Sequence, residues 1–269
     1  MSGAKPIMGG DISRAFKLFG QKKDYFIKLN SEDIASDMFH AEYLGLDYLA
    51  KHSSFVVPTP LLEFKLSSGA IGIAMEFIVS CNKLDFEAFG KSLADLHLKS
   101  CEFFGFGFDN FIGKLNQSNS LCDNFLKHYV EHRIDPLVHM AFDTSLISSN
   151  DVSTFEKFYT SVNELIPAES PALIHGDLWN GNFFFNHEGM PVIFDPAPAY
   201  SHREFDIAMM QLFGGFHPTT FDAYHAHCPL ENDWQSRTKY FQLYYLLVHL
   251  CLFGKSYYNQ VIQIVNKFR

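Results

Sequence analysis

LIHGDLWNGNFFFNHEGMPVIFDP, Leu173–Pro196, is the stretch that decides how this chain reads. A short apolar pair, Leu173–Ile174, runs into a glycine-containing loop that carries Asp177. Asn182 opens a second apolar run, Phe183–Phe185. A turn occupies Asn186–Gly189, and Pro191–Phe194 leads into Asp195. Turn residues between two apolar runs predict a β-hairpin. Pairing about the turn centre places Asn182 opposite Asp195 at the open end, with Cβ atoms about 5 Å apart. A carboxylate and an amide oxygen so placed suit Mg²⁺, a hard cation that keeps water and phosphate as its other ligands.

A loop aspartate, an asparagine five residues later and a second aspartate at the end of a hairpin form the phosphotransfer layout of kinases. One aspartate orients the acceptor hydroxyl or takes its proton, while the asparagine and the second aspartate hold the metal. That assigns Asp177 the catalytic role and Asn182 and Asp195 the metal. The first lobe supplies candidates for the nucleotide. Gly9 and Gly10, in GGDIS, let backbone N–H groups turn toward phosphates. Lys28 stands in the apolar strand YFIKL and needs an anionic partner. Glu42 lies about 40° around its helix from the apolar stripe and fits that need. Glu76 and Ile78, at the end of the last small-lobe strand, offer backbone groups to an adenine edge.

Outward from these motifs the texture changes once. Residues 1–80 read as two hairpins, Arg14–Leu29 and Leu61–Phe77, around a helix over Asp37–His52 with Phe39, Tyr43, Leu46 and Ala50 on one face. Residues 81–269 read as mainly helical, interrupted by the β island at 173–196. The expected fold is α+β and bilobal, with a small β-rich nucleotide-binding lobe (1–80) and a larger helical lobe (81–269) carrying the catalytic loop and acceptor site. A junction of this kind favours a ligand cleft.

The 269 residues are 47% hydrophobic and only 19% charged, which excludes a disordered or fibrous chain. The net charge of −9 argues against a nucleic-acid partner and against an anionic membrane surface. The longest strongly apolar run, Tyr244–Phe253, is shorter than the about 20 residues of a membrane span. No signal peptide is visible at the N-terminus. Five cysteines with no CxxC spacing give neither a zinc site nor a disulfide framework. A cytoplasmic, monomeric protein in a reducing compartment is expected.

The chain resembles the fructosamine kinase (ketosamine-3-kinase) family, a branch of the protein-kinase-like fold close to the aminoglycoside phosphotransferases. The resemblance runs through GGDIS, YFIKLN, MFHAEYLGLDYL, AMEF, LADLHLKS, FGFGFDNFIG, LIHGDLWNGNFFF, VIFDPAPAYSHREFDIAMMQLFGGF and FDAYH. It implies transfer of the γ-phosphate of ATP, with Mg²⁺, to the 3-hydroxyl of a ketosamine, the adduct of a sugar with an amine or lysine. Phosphorylation makes the adduct labile, so the expected role is deglycation. By the same resemblance Lys28 and Glu42 grip the phosphates, Gly9 and Gly10 cover them, and Trp179 is either a platform for the sugar ring or a core residue. His175 and Asp206 support the loop, His97 is a satisfied core histidine, and Arg203 and Glu204 match a charged turn without an assigned step. Asp11 stands where some members carry a cysteine, and Asn119–Leu121 and Phe125 stand where relatives often have tryptophans. The alternatives are a kinase for another hydroxylated amine, such as an aminoglycoside or choline, and an inactive kinase fold used for binding. A protonated ketosamine would be drawn to an acidic surface.

Overall fold

The computed structural model describes residues 3–7 and 12–267. An antiparallel sheet is built from β1 (Ala4–Ile7), β2 (Arg14–Leu18) and β3 (Tyr25–Asn30), then β4 (Pro60–Lys65) and β5 (Ile71–Glu76) after helix α1 (Ala35–His52). The spatial order is β1-β2-β3-β5-β4. Both expected hairpins form, with β2 paired to β3 from Arg14↔Leu29 to Leu18↔Tyr25 and β4 paired to β5. The N-terminal segment is itself an edge strand, too short to show any periodicity in sequence. Its Pro6 is tolerated because the outer side of an edge strand donates to no ladder.

The expected face of α1 is nearly right. Phe39 and Leu46 are buried, but Leu49 takes the place of the exposed Ala50, and Gly45 is buried as well. Gly45 is covered because α1 has a second partner: it rests on Pro196 and Pro198 of the large lobe as well as on the sheet.

Helix α2 (Phe86–His97) begins at Asp85, whose carboxylate accepts the N–H of Ala88 at 2.8 Å, and buries Phe89, Leu93 and Leu96. A hairpin of β6 (Asn110–Ile112) and β7 (Leu115–Gln117) follows. Next come α3 (Phe125–Tyr129), a π-helical turn at Val130–Ile134, α4 (Asp135–Asp143) and α5 (Ser149–Leu165), the last opened by a Ser148/Asp151 capping box. The β island holds β8 (Ala172–Ile174), β9 (Phe183–Phe185), β10 (Pro191–Ile193) and β11 (Ala199–Ser201), pairing β9 with β10 and β8 with β11. Helices α6 (Glu204–Phe213), α7 (Pro218–His227), α8 (Trp234–Phe253) and α9 (Tyr258–Lys267) complete the large lobe.

Helix α8 is the axis of that lobe. Tyr240 through Val248 are buried on every side of it, which accounts for an apolar run that no membrane is needed to explain. No helix among the described residues is long and apolar enough to cross a membrane. A second core cluster joins the lobes: Phe39, Leu46 and Leu49 of α1 and Ile73 and Met75 of β5 share it with Leu93 of α2, Phe185 of β9 and Ile193 of β10. Backbone bonds reinforce the junction. Val56 N–H donates to Pro191 O at 3.0 Å, Ile193 N–H to Val56 O at 3.1 Å, and Cys81 N–H to Phe185 O at 2.9 Å. The β9–β10 hairpin is therefore held between two segments of the first eighty-odd residues. All five cysteines are free thiols.

Candidate active site

The register of the β9–β10 hairpin corrects the sequence expectation by one residue. Phe183 pairs with Ile193, and the N–H of Phe194 donates to the Asn182 carbonyl at 3.1 Å, so Asn182 faces Phe194 and not Asp195. The turn is the cause. Asn186 N–H donates to Met190 O at 3.0 Å, which closes a three-residue loop, His187–Gly189, where a four-residue turn was expected. Gly189 takes the left-handed conformation, φ +87°, that such a loop requires in its last position. Asp195 then lies past the last pair, itself left-handed at φ 56°, and its carboxylate turns to Lys28.

The loop before the hairpin is held almost wholly by its backbone. Asp206, on the first turn of α6 and fully buried, accepts the N–H of His175 at 2.7 Å and that of Gly176 at 2.9 Å. His97 reaches the same carboxylate at 3.2 Å and Tyr224 at 2.9 Å. His175 uses both ring nitrogens: Nε2 donates to Phe194 O at 3.1 Å, and Nδ1 accepts the N–H of Asp177 at 3.3 Å. Burial holds the His175 imidazole below its ordinary range, so it is a neutral brace with no lone pair left for a substrate. A Cβ on Gly176 would meet Ala197 O at 2.0 Å, which excludes any larger residue there. Arg203 pairs with Glu169 at 2.8 Å and Glu204 with Arg237 at 2.6 Å, pinning the start of α6 from two sides.

Asn182 Nδ2 donates to the Asp177 carbonyl at 2.9 Å and to its carboxylate at 3.1 Å. Burial first, and then the charge of Asp195, pushes the Asp177 carboxyl up to about 7. Across the cleft, the Lys28 ammonium lies between Glu42, at 2.8 Å, and Asp195. Burial opposes its charge, but Asp195 and Glu42 outweigh that and hold Lys28 above its ordinary range. Burial also raises Glu42, and the charge of Asp195 adds to it. The Lys28–Glu42 pair spans strand and helix as their positions in sequence implied.

All of these groups border one cavity of 880 Å³ between the lobes. Its sheet side is lined by Phe26, Met75, Phe77 and Ile78. The N–H of Glu76 is taken by Thr59 O at 3.0 Å, which leaves Glu76 only its carbonyl for a base edge. No described hydrogen bond uses the N–H of Ile78. Gly9 and Gly10 lie outside the described residues. Beyond Asp177 the wall is aromatic. Trp179 is half-buried, with one face on the large-lobe core and its ring 6.0 Å from that of Phe213. Phe213, His249, Phe253 and Tyr257 continue the wall, with centroids 5.0 to 6.4 Å apart. Apart from Trp179 these are invisible as site residues: Phe213, His249 and Phe253 sit in apolar stretches that read as core, and Tyr257 stands in a polar turn that carries no motif.

The donor set fits Mg²⁺. Asn182 spends its amide nitrogen on Asp177, and no described hydrogen bond uses Oδ1, the atom a cation would take. Asp195 supplies a partly exposed carboxylate on the same cavity wall. Among the described residues no group of three or more His, Cys, Asp or Glu is placed to hold a metal. A Mg²⁺ completed by phosphates and water needs none.

The family model described as fructosamine kinase matches residues 1–269. The chain belongs to the fructosamine kinase family. A family relative assigned as a ketoamine kinase in Enterococcus faecium is 38% identical over 266 residues, covering 98% of this chain and 94% of the relative. The chloroplastic protein-ribulosamine 3-kinase of Oryza sativa subsp. japonica is 31% identical, covering 100% of this chain and 79% of that one. The crystal structure of a protein assigned as a fructosamine-3-kinase from Thermobifida fusca superposes with a TM-score of 0.85 at 32% identity, covering 98% and 92% of the two chains. An aminoglycoside phosphotransferase in complex with AMP-PNP and hygromycin B superposes at 0.64 with 13% identity, over 99% and 92% of the chains, and shows the shared bilobal kinase-like fold.

Proposed function

We propose that this protein uses ATP and Mg²⁺ to phosphorylate the 3-hydroxyl of ketosamines, in deglycation of sugar–amine adducts. The observation that carries this is the convergence of Asp177, Asn182, Asp195 and the Lys28–Glu42 pair on one interlobe cavity, in a chain of the fructosamine kinase family. The names of the relatives, ketoamine kinase and ribulosamine 3-kinase, point to the same acceptor.

Lys28 binds the α- and β-phosphates, steadied by Glu42. The Ile78 N–H and the Glu76 carbonyl take the adenine edge. Asn182 Oδ1 and Asp195 would hold Mg²⁺, which would supply neutralisation of phosphate charge. Asp177 accepts a hydrogen bond from the acceptor hydroxyl and takes its proton as the new P–O bond forms and the bond to the ADP oxygen breaks. A carboxyl raised by burial is suited to receive that proton. Most of the rate gain is positioning and charge neutralisation. Trp179 and the aromatic wall flank the sugar. The free thiols agree with a cytoplasmic setting.

A coupled ADP-release assay over glycated lysine and simpler ketosamines, with an aminoglycoside and choline as controls, tests the proposal. Release dependent on the ketosamine alone supports it. Turnover of the controls with none on any ketosamine overturns it.

A further inference from the structure

The segment FGFGFDNFIG, residues 104–113, has no part in the chemistry above, yet its Asn110 is almost fully buried beside the site. Asn110 Nδ2 donates to the carbonyl of Pro198 at 2.8 Å. Its Oδ1 accepts from Gln117 Nε2 at 2.7 Å, and Gln117 Oε1 accepts the hydroxyl of Tyr244. Gln117 and Tyr244 are buried too. A relay of three buried side chains thus runs from α8 through β7 and β6 to one backbone carbonyl, three residues past Asp195. Asn110 borders the cavity, but both ends of its amide are engaged within the protein.

The segment so held is also the seat of α1. A Cβ on Gly45 would lie 3.2 Å from Pro198 and 3.4 Å from Pro196, so helix and prolines are in close contact less than one turn from Glu42. Farther along α1, Tyr48 and Tyr200 join by their hydroxyls at 2.9 Å. Ala197 N–H donates to His175 O at 2.9 Å, tying the segment to the loop of Asp177 as well. Asp195 and Glu42 are the two carboxylates on Lys28: Asp195 belongs to this stretch of backbone, and Glu42 sits on the helix that packs against it. A buried polar relay with every member satisfied is rigid, because any displacement strands a donor or acceptor away from water.

We propose that Asn110, Gln117 and Tyr244 are positioning residues: they clamp the Asp195–Pro198 segment and so set the spacing of Asp195 and Glu42 across Lys28. The inference rests on the nucleotide and metal roles proposed above. Supporting groups of this kind commonly change metal affinity by about 10- to 100-fold when altered.

The test reads Mg²⁺ dependence rather than turnover. The full chain is melted with AMP-PNP while Mg²⁺ is titrated, and the midpoint of the stabilisation is recorded. Asn110→Asp keeps the size of the side chain but turns an acceptor toward the Pro198 carbonyl. It should raise the Mg²⁺ midpoint about tenfold. Tyr244→Phe, which removes only the far end of the relay, should raise it less and serves if Asn110→Asp does not fold. Val138→Ala, in the large-lobe core, should lower the melting temperature and leave the midpoint unchanged. Relay variants that lose stability but keep the wild-type midpoint would overturn the inference. So would a wild-type protein whose nucleotide binding ignores Mg²⁺. Intact Mg²⁺-dependent binding without ketosamine turnover would instead overturn the proposed function and leave the clamp standing.

Discussion

The N–H of His175 donates to Asp206 at 2.7 Å, tying the loop that carries Asp177 to the first turn of α6. Asp206 also takes Gly176 N–H and faces His97, so one buried carboxylate collects three donors. Asp206→Asn turns an amide donor toward one of them. Leaving buried donors unmatched costs about 1–3 kcal/mol each. The variant should unfold at lower urea and lose turnover together. Wild-type stability with wild-type turnover would show that the loop does not depend on Asp206.

Asp177→Ala removes the proposed proton acceptor and one of the two bonds on the Asn182 amide, while the bond from Asn182 to the Asp177 carbonyl stays in place. Turnover should fall about 10²- to 10⁴-fold, the usual worth of general base catalysis. Stabilisation by ATP and Mg²⁺ in a thermal melt should persist. Loss of nucleotide binding together with turnover would place Asp177 in binding instead.

Lys28→Met leaves Glu42 and Asp195 facing each other without their shared cation. The KM for ATP should rise about tenfold or more, since a factor of ten corresponds to about 1.4 kcal/mol of lost phosphate binding. Glu42→Gln retains a hydrogen-bond acceptor for Lys28 and should have the smaller effect. Equal KM values for ATP in wild type and Lys28→Met would remove Lys28 from the phosphate site.

His202 predicts an acid limb in stability. Its imidazole is buried among Glu169, Arg203 and Arg237, with Nδ1 accepting the Glu204 N–H at 3.3 Å and Nε2 3.8 Å from Glu169. Burial, reinforced by Arg203 and Arg237 and opposed by Glu169, pushes it down to about 4. In the unfolded chain it titrates near 6.5. Between those values the unfolded state binds a proton that the folded state refuses. Stability contributed by neutral His202 is complete above pH 6.5 and is lost as pH falls toward 4, by at most about 3 kcal/mol. Urea unfolding across that range should show a flatter slope for His202→Asn than for wild type. Equal slopes would rule His202 out as the source.

What the sequence disclosed and what it hid have physical reasons. Lys28 and Glu42 could be paired because an ammonium in an apolar strand needs an anion, Glu42 lies near the apolar stripe of its helix, and the kinase layout of the second lobe calls for such a pair. The order of Asp177, Asn182 and Asp195 was plain, but the hairpin register was not. A three-residue and a four-residue turn share the same glycine and asparagine signals and differ by one residue in pairing. Strands of three residues, as in β6, β7 and β11, are too short to show alternation. Helix α7 buries only Thr220, Ala223 and Tyr224 and lacks an apolar stripe. Phe213, His249, Phe253 and Tyr257 meet only because α6 converges with the end of α8 and the turn that follows it, which is tertiary information.

The most direct test of the central claim is ³¹P NMR of the product formed from ATP, Mg²⁺ and a synthetic fructosamine. The account predicts a phosphate monoester coupled to the proton on carbon 3 of the sugar, absent with Asp177→Ala. Inorganic phosphate alone, or a phosphate on any other position, would contradict it.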